Sequence, residues 1–543
     1  MWRRPRLFYF MNLNENNLIR IEEVTLGLDE SEEILKSKIS DILGLPAEEI
    51  ISYELVKKNI DSRQKNILIV YSFDVLVRDI QMIKKWETRY RVRVHEPFYY
   101  QEKIITKKIN KKIVVVGSGP CGLFAALLMA KAGLKPLLIE RGKDIDSRVK
   151  DVEKFFTKGE FNSRSNIQFG EGGAGTFSDG KLYTLINDPR SKYIFTELVK
   201  AGAPQEIMTS GTPHIGTDKL RAVIKNIRQE IIKLGGEIRF ETCLTDIEIK
   251  NKKIKAAVFN ETERILVDDL VLATGHSARD TYKMLYNREL KMSAKPFSIG
   301  LRIEHRAEAV NKSRYSSFYK HAKLGPAKYK LVQHLAHNRP VYTFCMCPGG
   351  YVMAAASEED GVVTNGMSKY AQDGENSNSA LLVPVTPSDF GSTHPLAGIE
   401  FQRHWENKAY LLGGGDYCAP AQLVGDFLQK RVSDEIKSVK PSYRPGVHLT
   451  SLDACLPDYV SESLREALPL LAKKIKCFSD PDAILTGVET RSSAPVRLER
   501  DEKRESNISG VYPAGEGAGH AGGIVSSAID GLTVAEAIIE KYI

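Results

Sequence analysis

The chain has no apolar run approaching the ~18 residues needed to cross a bilayer, so nothing in it reads as a transmembrane span. Its seven cysteines are odd in number and scattered, which excludes a disulfide framework and suits a reducing cytosol. No cluster of His, Cys, Asp and Glu has metal-ligand spacing, and no metal site is expected. Gly-x-Ser-x-Gly is absent, and with it the nucleophile elbow of a hydrolase. There is no internal repeat. The first ten residues are basic but lack the apolar core and small-residue cleavage site of a secretory signal. Met11 opens a more natural beginning, so residues 1–10 read as an extended start. A cytoplasmic protein is the expectation.

What remains is ordinary in bulk. The 543 residues suffice for two or three domains, with 42% hydrophobic and 27% charged residues. The net charge of +8 allows a polyanionic partner, but the basic residues are dispersed. The densest runs, Lys107-Lys108 and Lys111-Lys112, read as a solvated linker.

Two glycine clusters carry the chemistry. The uncharged, β-branched run Ile113 to Val116 suits a central parallel strand buried on both faces. Gly117-Ser-Gly-Pro-Cys-Gly122 follows, then a helix to Lys131 and a stop at Gly133. Gly117 serves the tight turn, Gly119 the approach of backbone to a pyrophosphate, and Gly122 the close helix–strand packing. Pro120 and Cys121 open the helix whose N–H groups face that phosphate. A second apolar run ends on Glu140-Arg141, and Glu140 stands 18 residues after Gly122, where an acid accepts from ribose hydroxyls.

The second cluster lies near the C-terminal end. Val511-Tyr512 reads as a strand, Gly515-Glu516 sits just past it, and Gly522-Gly523 opens a helix through Ile524, Ala528 and Leu532. Between the clusters, Thr217 caps a helix running to Gly235-Gly236. A strand and hairpin then lead to Ala273-Thr274-Gly275.

Together these pieces resemble the glutathione-reductase-like two-dinucleotide-fold flavoproteins, in the branch with one nucleotide domain. The resemblance implies FAD, with Glu516 at the ribityl or pyrophosphate region. It puts the backbone of Gly522, Gly523 and Ile524 at the flavin ring, and Leu244 against adenine. Closer still, Gln168–Lys181, Phe344–Gly350, Asn365–Ser368 and Gly487–Arg497 resemble a widespread bacterial family of uncharacterised FAD-dependent dehydrogenases. In such proteins a loop like Phe169–Lys181 lies over the cofactor, which implies contacts from Gly172, Gly173 and Thr176.

The expected fold is α/β, a Rossmann-like FAD-binding domain with a parallel sheet. Residues 106–294 and 481–543 would form it around a strand-rich substrate domain, residues 295–480, behind a small βαββ module at 12–105. Asp29-x-x-Glu32 reads as a capping box for the module's helix, Ser377–Ser379 and Gly413–Gly415 as loops, and Pro469 as a kink or break in a helix. No second strand–glycine–helix unit stands between residues 276 and 480, so NAD(P)H would dock only transiently over the flavin.

For catalysis, Cys345-Met-Cys347 lies on an alternating strand that turns both thiols to one face, either as a redox pair or as small core residues. His520, in the late glycine loop, is a proton donor or acceptor or a packing residue. Arg491 either clamps a substrate carboxylate or pairs with Glu489. His214 and His276 read as structural.

The expected function is an FAD-dependent oxidoreductase moving hydride at flavin N5 to or from a small-molecule substrate. The alternatives are flavin-dependent modification of a nucleic acid such as tRNA, and a non-catalytic flavin sensor or scaffold. Salt-sensitive tRNA binding would mark the first. Bound FAD that no donor–acceptor pair turns over would mark the second.

Overall fold

A computed structural model describes residues 17–64, 66–83, 90–184 and 186–543. The alternative starts at Met1 and Met11 lie outside the described residues.

Two compact units result. The first holds the chain up to Tyr100 with the segments Pro204–Pro213 and Lys320–Leu324. Its four-stranded antiparallel sheet runs in the order Ile50–Asp61, Leu68–Val77, Leu18–Gly27, Arg93–Val94. Alternation in Leu68–Val77 buries Ile69, Tyr71, Phe73 and Val75 on one face. The helix Leu35–Leu43 adds Leu35, Ile39 and Leu43 to the core, a four-residue spacing, and ends at Gly44 with φ +63. The strand Arg93–Val94 extends the expected βαββ order by one, and the cap differs. Ser31, not Asp29, accepts from the Glu33 amide, and Glu32 turns to Lys58 and the Tyr71 hydroxyl.

In the second unit a five-stranded parallel sheet runs Val511–Pro513, Asp269–Leu272, Ile113–Val116, Leu137–Ile139, Glu237–Arg239. Ile113–Val116 is its buried centre, as an uncharged β-branched run should be. The helices Pro120–Lys131 and Ile524–Tyr542 pack together, and Gly531 lets them close. A Cβ at Gly531 would stand 2.1 Å from the Cys121 carbonyl oxygen. Thr217 opens its helix from the first helical position rather than capping it; Gly216, with φ +78, holds the cap. The Thr217 hydroxyl instead donates to the Thr176 carbonyl at 2.8 Å.

A seven-stranded sheet builds the other half, in the order Val332–Gln333, Val341–Cys347, Asn376–Val385, Phe297–Arg306, Ile484–Glu489, Ala419–Leu423, Val447–Leu449. Its pairs are antiparallel except the last. Two expectations change here. Ser377–Ser379 is not a loop but the buried start of a sheet strand, where the Ser377 hydroxyl, the Asn378 Oδ1 and the Ser379 hydroxyl bond to the Gly349 amide, Arg302 and Tyr329. Ile484–Glu489 belongs to this sheet, so the return to the nucleotide domain falls after residue 489 rather than at 481. The helix Asp458–Lys474 runs unbroken through Pro469.

Candidate functional site

One cavity of about 690 Å³ joins the two glycine clusters to the edge of the large sheet, within the size range of cofactor pockets. Two helix N-termini open onto it. Pro120–Lys131 and Ile524–Tyr542 both lack a capping side chain, and Gly119, Pro120, Gly522 and Gly523 line the cavity. Uncapped first-turn N–H groups and the positive end of a helix dipole favour an anion.

The glycines divide by what a Cβ would meet. At Gly117, φ is +104 and a Cβ would stand 2.2 Å from the Ala273 carbonyl; at Gly122 it would stand 1.8 Å from the Gly117 carbonyl. Those two shape the turn and its packing. At Gly119 the nearest protein atom is the Gly173 Cα at 3.9 Å, and at Gly275 and Gly522 nothing lies within 4 Å. Those three leave room for a ligand against the backbone. A dinucleotide's pyrophosphate fits this cradle of two uncapped helix N-termini and open glycines.

Glu140 is buried at the expected place, but its carboxylate is already well served. Ser118 donates through its amide at 2.9 Å and its hydroxyl at 2.8 Å, and the Gly142 and Gly170 amides each donate at 2.9 Å. Its first task is to tie three loops together, and ribose would share its oxygens. Arg141 lines the cavity, pairs with Asp280 at 2.9 Å and stacks 4.4 Å from the Phe169 ring centre. Leu244, Thr274 and Gly275 also line it.

The loop over the cavity corrects two assignments. Thr176 is fully buried and its hydroxyl folds back onto the Glu171 carbonyl at 2.9 Å. Gly172 faces that hydroxyl and Ile224 instead of the cavity. Gly173, Ala174 and Gly175 take the lining positions. Gly515, whose Cβ would strike Cys121, and Gly122 likewise stand behind the lining rather than in it.

Sequence reasoning missed the residue that moulds this loop. Arg148, on the helix Ile145–Lys158, is 0% exposed and spends its guanidinium on five loop carbonyls. Nε donates to Asn166 at 2.8 Å and Nη2 to Ile167 at 2.8 Å. Nη1 reaches Gly170 at 3.2 Å, Glu171 at 2.7 Å and Gly173 at 2.9 Å. A charged residue at a helix position reads as solvent-facing, so no sequence signal distinguished it.

Glu516 lines the cavity, and burial pushes its carboxyl up to about 7 against the pull of Lys295. His520 stands beside it on the same loop, half-buried, with Nε2 3.0 Å from the Leu498 carbonyl. A carbonyl only accepts, so Nε2 carries the proton and Nδ1 is the open base in the neutral ring. Burial, then Arg500, lowers the His520 pKa and keeps the ring neutral. His276, read as structural, also lines the cavity; burial, then Arg491 and Arg279, brings it down to about 3.

Arg491 is not free to clamp a substrate, and its carboxylate is not Glu489. Glu406 accepts from its Nε at 3.0 Å and Nη2 at 2.8 Å, while Nη1 goes to Ser277 and Ser357. Glu406 also holds Arg279 at 2.8 and 2.9 Å and the Thr490 hydroxyl at 2.7 Å. Glu489 pairs instead with Arg302 at 2.7 Å. Burial works against the Glu406 charge, but Arg279 and Arg491 outweigh it and hold the carboxyl far below the usual range. Glu406→Gln leaves two buried guanidiniums short of charge. A loss of roughly 3–5 kcal/mol in urea unfolding is expected.

Cys345 and Cys347 stand at the far wall with Lys181, Cys345 lining the cavity and Cys347 buried behind it. The alternating-strand picture fails locally. Cys345 has φ +47, and the pairing with Asn376–Val385 slips between Phe344 and Cys347.

Comparison with known proteins agrees with this geometry. Residues 111–285 match the pyridine nucleotide-disulphide oxidoreductase family, residues 296–492 the FAD-dependent protein, C-terminal domain-like family, and residues 18–76 a domain of unknown function. Fold and site together define a flavoprotein oxidoreductase with FAD as its cofactor. Over 535 residues the chain is 49% identical to an uncharacterised protein of Clostridium beijerinckii, covering 96% of this chain and 99% of that one. It belongs to that uncharacterised FAD-dependent family.

Among solved structures it is similar to the halogenase PltM in complex with phloroglucinol and FAD. That match has a TM-score of 0.38 at 10% identity over 80% of this chain and 70% of that one. Glycine oxidase from Bacillus cereus gives 0.32 at 12% identity over 80% and 95%. No helix among the described residues is long and apolar enough to cross a membrane.

Proposed function

We propose that the protein is a dehydrogenase or reductase in which FAD, when bound, supplies hydride chemistry at N5 toward a small-molecule substrate in the same cavity. The carrying observation is that single cavity, which runs from two uncapped helix N-termini to a polar wall bearing Lys181, Cys345 and Glu516. In this reading Gly119, Pro120 and Cys121 hold the pyrophosphate. The helix start at Gly522, Gly523 and Ile524 stabilises negative charge at the ring end. His520 accepts a proton at Nδ1, and Glu516 holds or releases one near neutrality.

The electron partner is NADH or NADPH, docking transiently. Its docking would be transient because the strands between residues 297 and 489 form a seven-stranded, mainly antiparallel sheet and a separate two-stranded one, with no second parallel nucleotide sheet among the described residues. The test is anaerobic addition of NADH and then NADPH to the purified protein. Bleaching of the flavin band by one of them is expected. A band that persists with both removes the nicotinamide half of the proposal.

Glu516 adds a pH signature. The folded state keeps its proton up to about 7, whereas an unfolded glutamate releases it near 4.5. Its contribution to stability therefore falls as pH rises from 4.5 through 7, by on the order of 3 kcal/mol at most. Melting of flavin-free protein across that window is expected to lose this part of its slope in Glu516→Gln. An unchanged slope would remove the buried-acid role.

A further inference from the structure

Along a regular strand, side chains two residues apart project in parallel and stand roughly 6.5–7 Å apart. The bulge at Cys345 turns its thiol onto that of Cys347 instead. Cys347 Sγ donates to the Cys345 carbonyl at 3.3 Å. One cation serves both: Lys181 Nζ stands 3.4 Å from Cys347 Sγ and 3.9 Å from Cys345 Sγ.

A second cation sits behind. Arg302 Nη2 donates to the Cys345 carbonyl at 2.7 Å and lies 3.7 Å from Cys347 Sγ. The facing acids are Asp179, 3.4 Å from Lys181, Glu489 on Arg302, and Glu516, whose carboxyl feels the charge of Cys345; Tyr183, Lys328 and His214 also stand around Lys181 and Asp179. The pair is asymmetric. The hydrogen bond from Cys347, then Lys181 and Arg302, holds the Cys345 thiol well below its usual range against burial. Giving that bond, together with burial, pushes Cys347 well above it.

We propose that Cys345 and Cys347 form a two-electron dithiol–disulfide site opening on the cavity and acting on a small-molecule disulfide. Cys345 is the attacking sulfur, Cys347 the resolving sulfur and Lys181 the counter-cation. The Cys345 thiolate attacks one sulfur of the substrate, forming a mixed disulfide and expelling the first thiolate. Cys347 then loses its proton to that thiolate and attacks the Cys345 sulfur, closing the Cys345–Cys347 disulfide and expelling the second. The protein pair is oxidised by two electrons and the substrate is reduced to two thiols. Restoring thiolate and thiol takes two electrons and one proton, which reduced flavin supplies; this last half alone rests on the function proposed above.

The exchange half needs no flavin, so it is read separately. Purified protein, reduced and freed of reductant, is mixed with hydroxyethyl disulfide, quenched with iodoacetamide and mapped by peptide mass spectrometry. The expected product is a peptide two hydrogens lighter containing both cysteines, with two mercaptoethanol molecules released per chain. Cys347→Ser is expected to stop at a mixed disulfide on Cys345, releasing one. Lys181→Met is expected to slow Cys345 alkylation at pH 7 at least tenfold and to move its pH profile upward.

A mixed disulfide that forms on another cysteine in Cys347→Ser overturns the proposal. So does wild-type Cys345 alkylation that rises only near the ordinary thiol pKa, a reading that needs no variant to fold. Exchange that fails while nicotinamide still bleaches the flavin overturns this site alone. Exchange that succeeds in a protein that neither holds FAD nor takes it up when added leaves the site standing and removes the hydride function.

Discussion

Arg148→Lys is expected to cost the protein its cofactor, weakening FAD binding on the order of 100-fold, or about 2.7 kcal/mol. The reason is geometric. One guanidinium satisfies five carbonyls between Asn166 and Gly173, and an ammonium has only three donors on a single atom. Gly170 and Glu171 keep a second donor in the Gly173 amide and the Thr176 hydroxyl, but the Asn166, Ile167 and Gly173 carbonyls depend on Arg148 from three directions that one ammonium atom does not span, at roughly 1–3 kcal/mol for each one orphaned. The loop they belong to is tied to the pyrophosphate turn, since the Gly172 amide donates to the Ser118 carbonyl at 2.9 Å and the Gly170 amide to Glu140 at 2.9 Å. Relaxing it moves Gly173, which faces Gly119 across the cradle. Titration of FAD by fluorescence quenching, alongside melting of the flavin-free variant, reads both effects. Wild-type affinity in Arg148→Lys would mean the loop holds its shape without the fork.

The second large effect is a contrast between two neighbouring glycines. Gly117→Ala is expected to damage the fold itself. Its φ of +104 strains any L side chain, and the new methyl would stand 2.2 Å from the Ala273 carbonyl. Gly119→Ala should leave the flavin-free protein melting as wild type. Gly119 has φ −72 and ψ −178, which alanine adopts freely, and its methyl meets no protein atom closer than 3.9 Å. Its methyl instead enters the space assigned to the pyrophosphate, so FAD affinity should fall by two orders of magnitude or more, about 2.7 kcal/mol. Equal melting and equal affinity in Gly119→Ala would place the cofactor elsewhere.

The sequence made the nucleotide half legible because its signals are local. A buried β-branched strand, glycines at fixed spacing and a helix start lie within twenty residues of one another, and each residue's role follows from its neighbours. The loop Phe169–Lys181 lines the cavity, through Gly173 of the three residues expected and not through Gly172 or Thr176. Which glycine faces in depends on how the short turn Gly173–Phe177 winds, and that is decided by Arg148 from a different helix.

Charges in the large sheet were harder still. Arg302 and Glu304 sit buried on one apolar strand, an anomaly visible in Phe297–Arg306, yet their partners, Glu489 and Asn378 for the first and Ser442 for the second, are scattered along the chain. Glu406 was invisible for the same reason, being matched with Arg279 and Arg491 across more than 80 residues on either side. Ser377–Ser379 reads as a loop because its composition is polar, and hydrogen bonds from Gly349, Arg302 and Tyr329 let those side chains sit buried in a strand instead. The thiol pair was found in sequence, but its cation, Lys181, comes from the glycine-dense loop and no spacing rule connects them.

The account's central claim is that FAD occupies this cavity, and the visible absorption spectrum of the purified protein tests it most directly. The expected result is a yellow protein with bands near ~370 and ~450 nm, released on denaturation as FAD. A colourless protein that also takes up no added FAD would contradict the account.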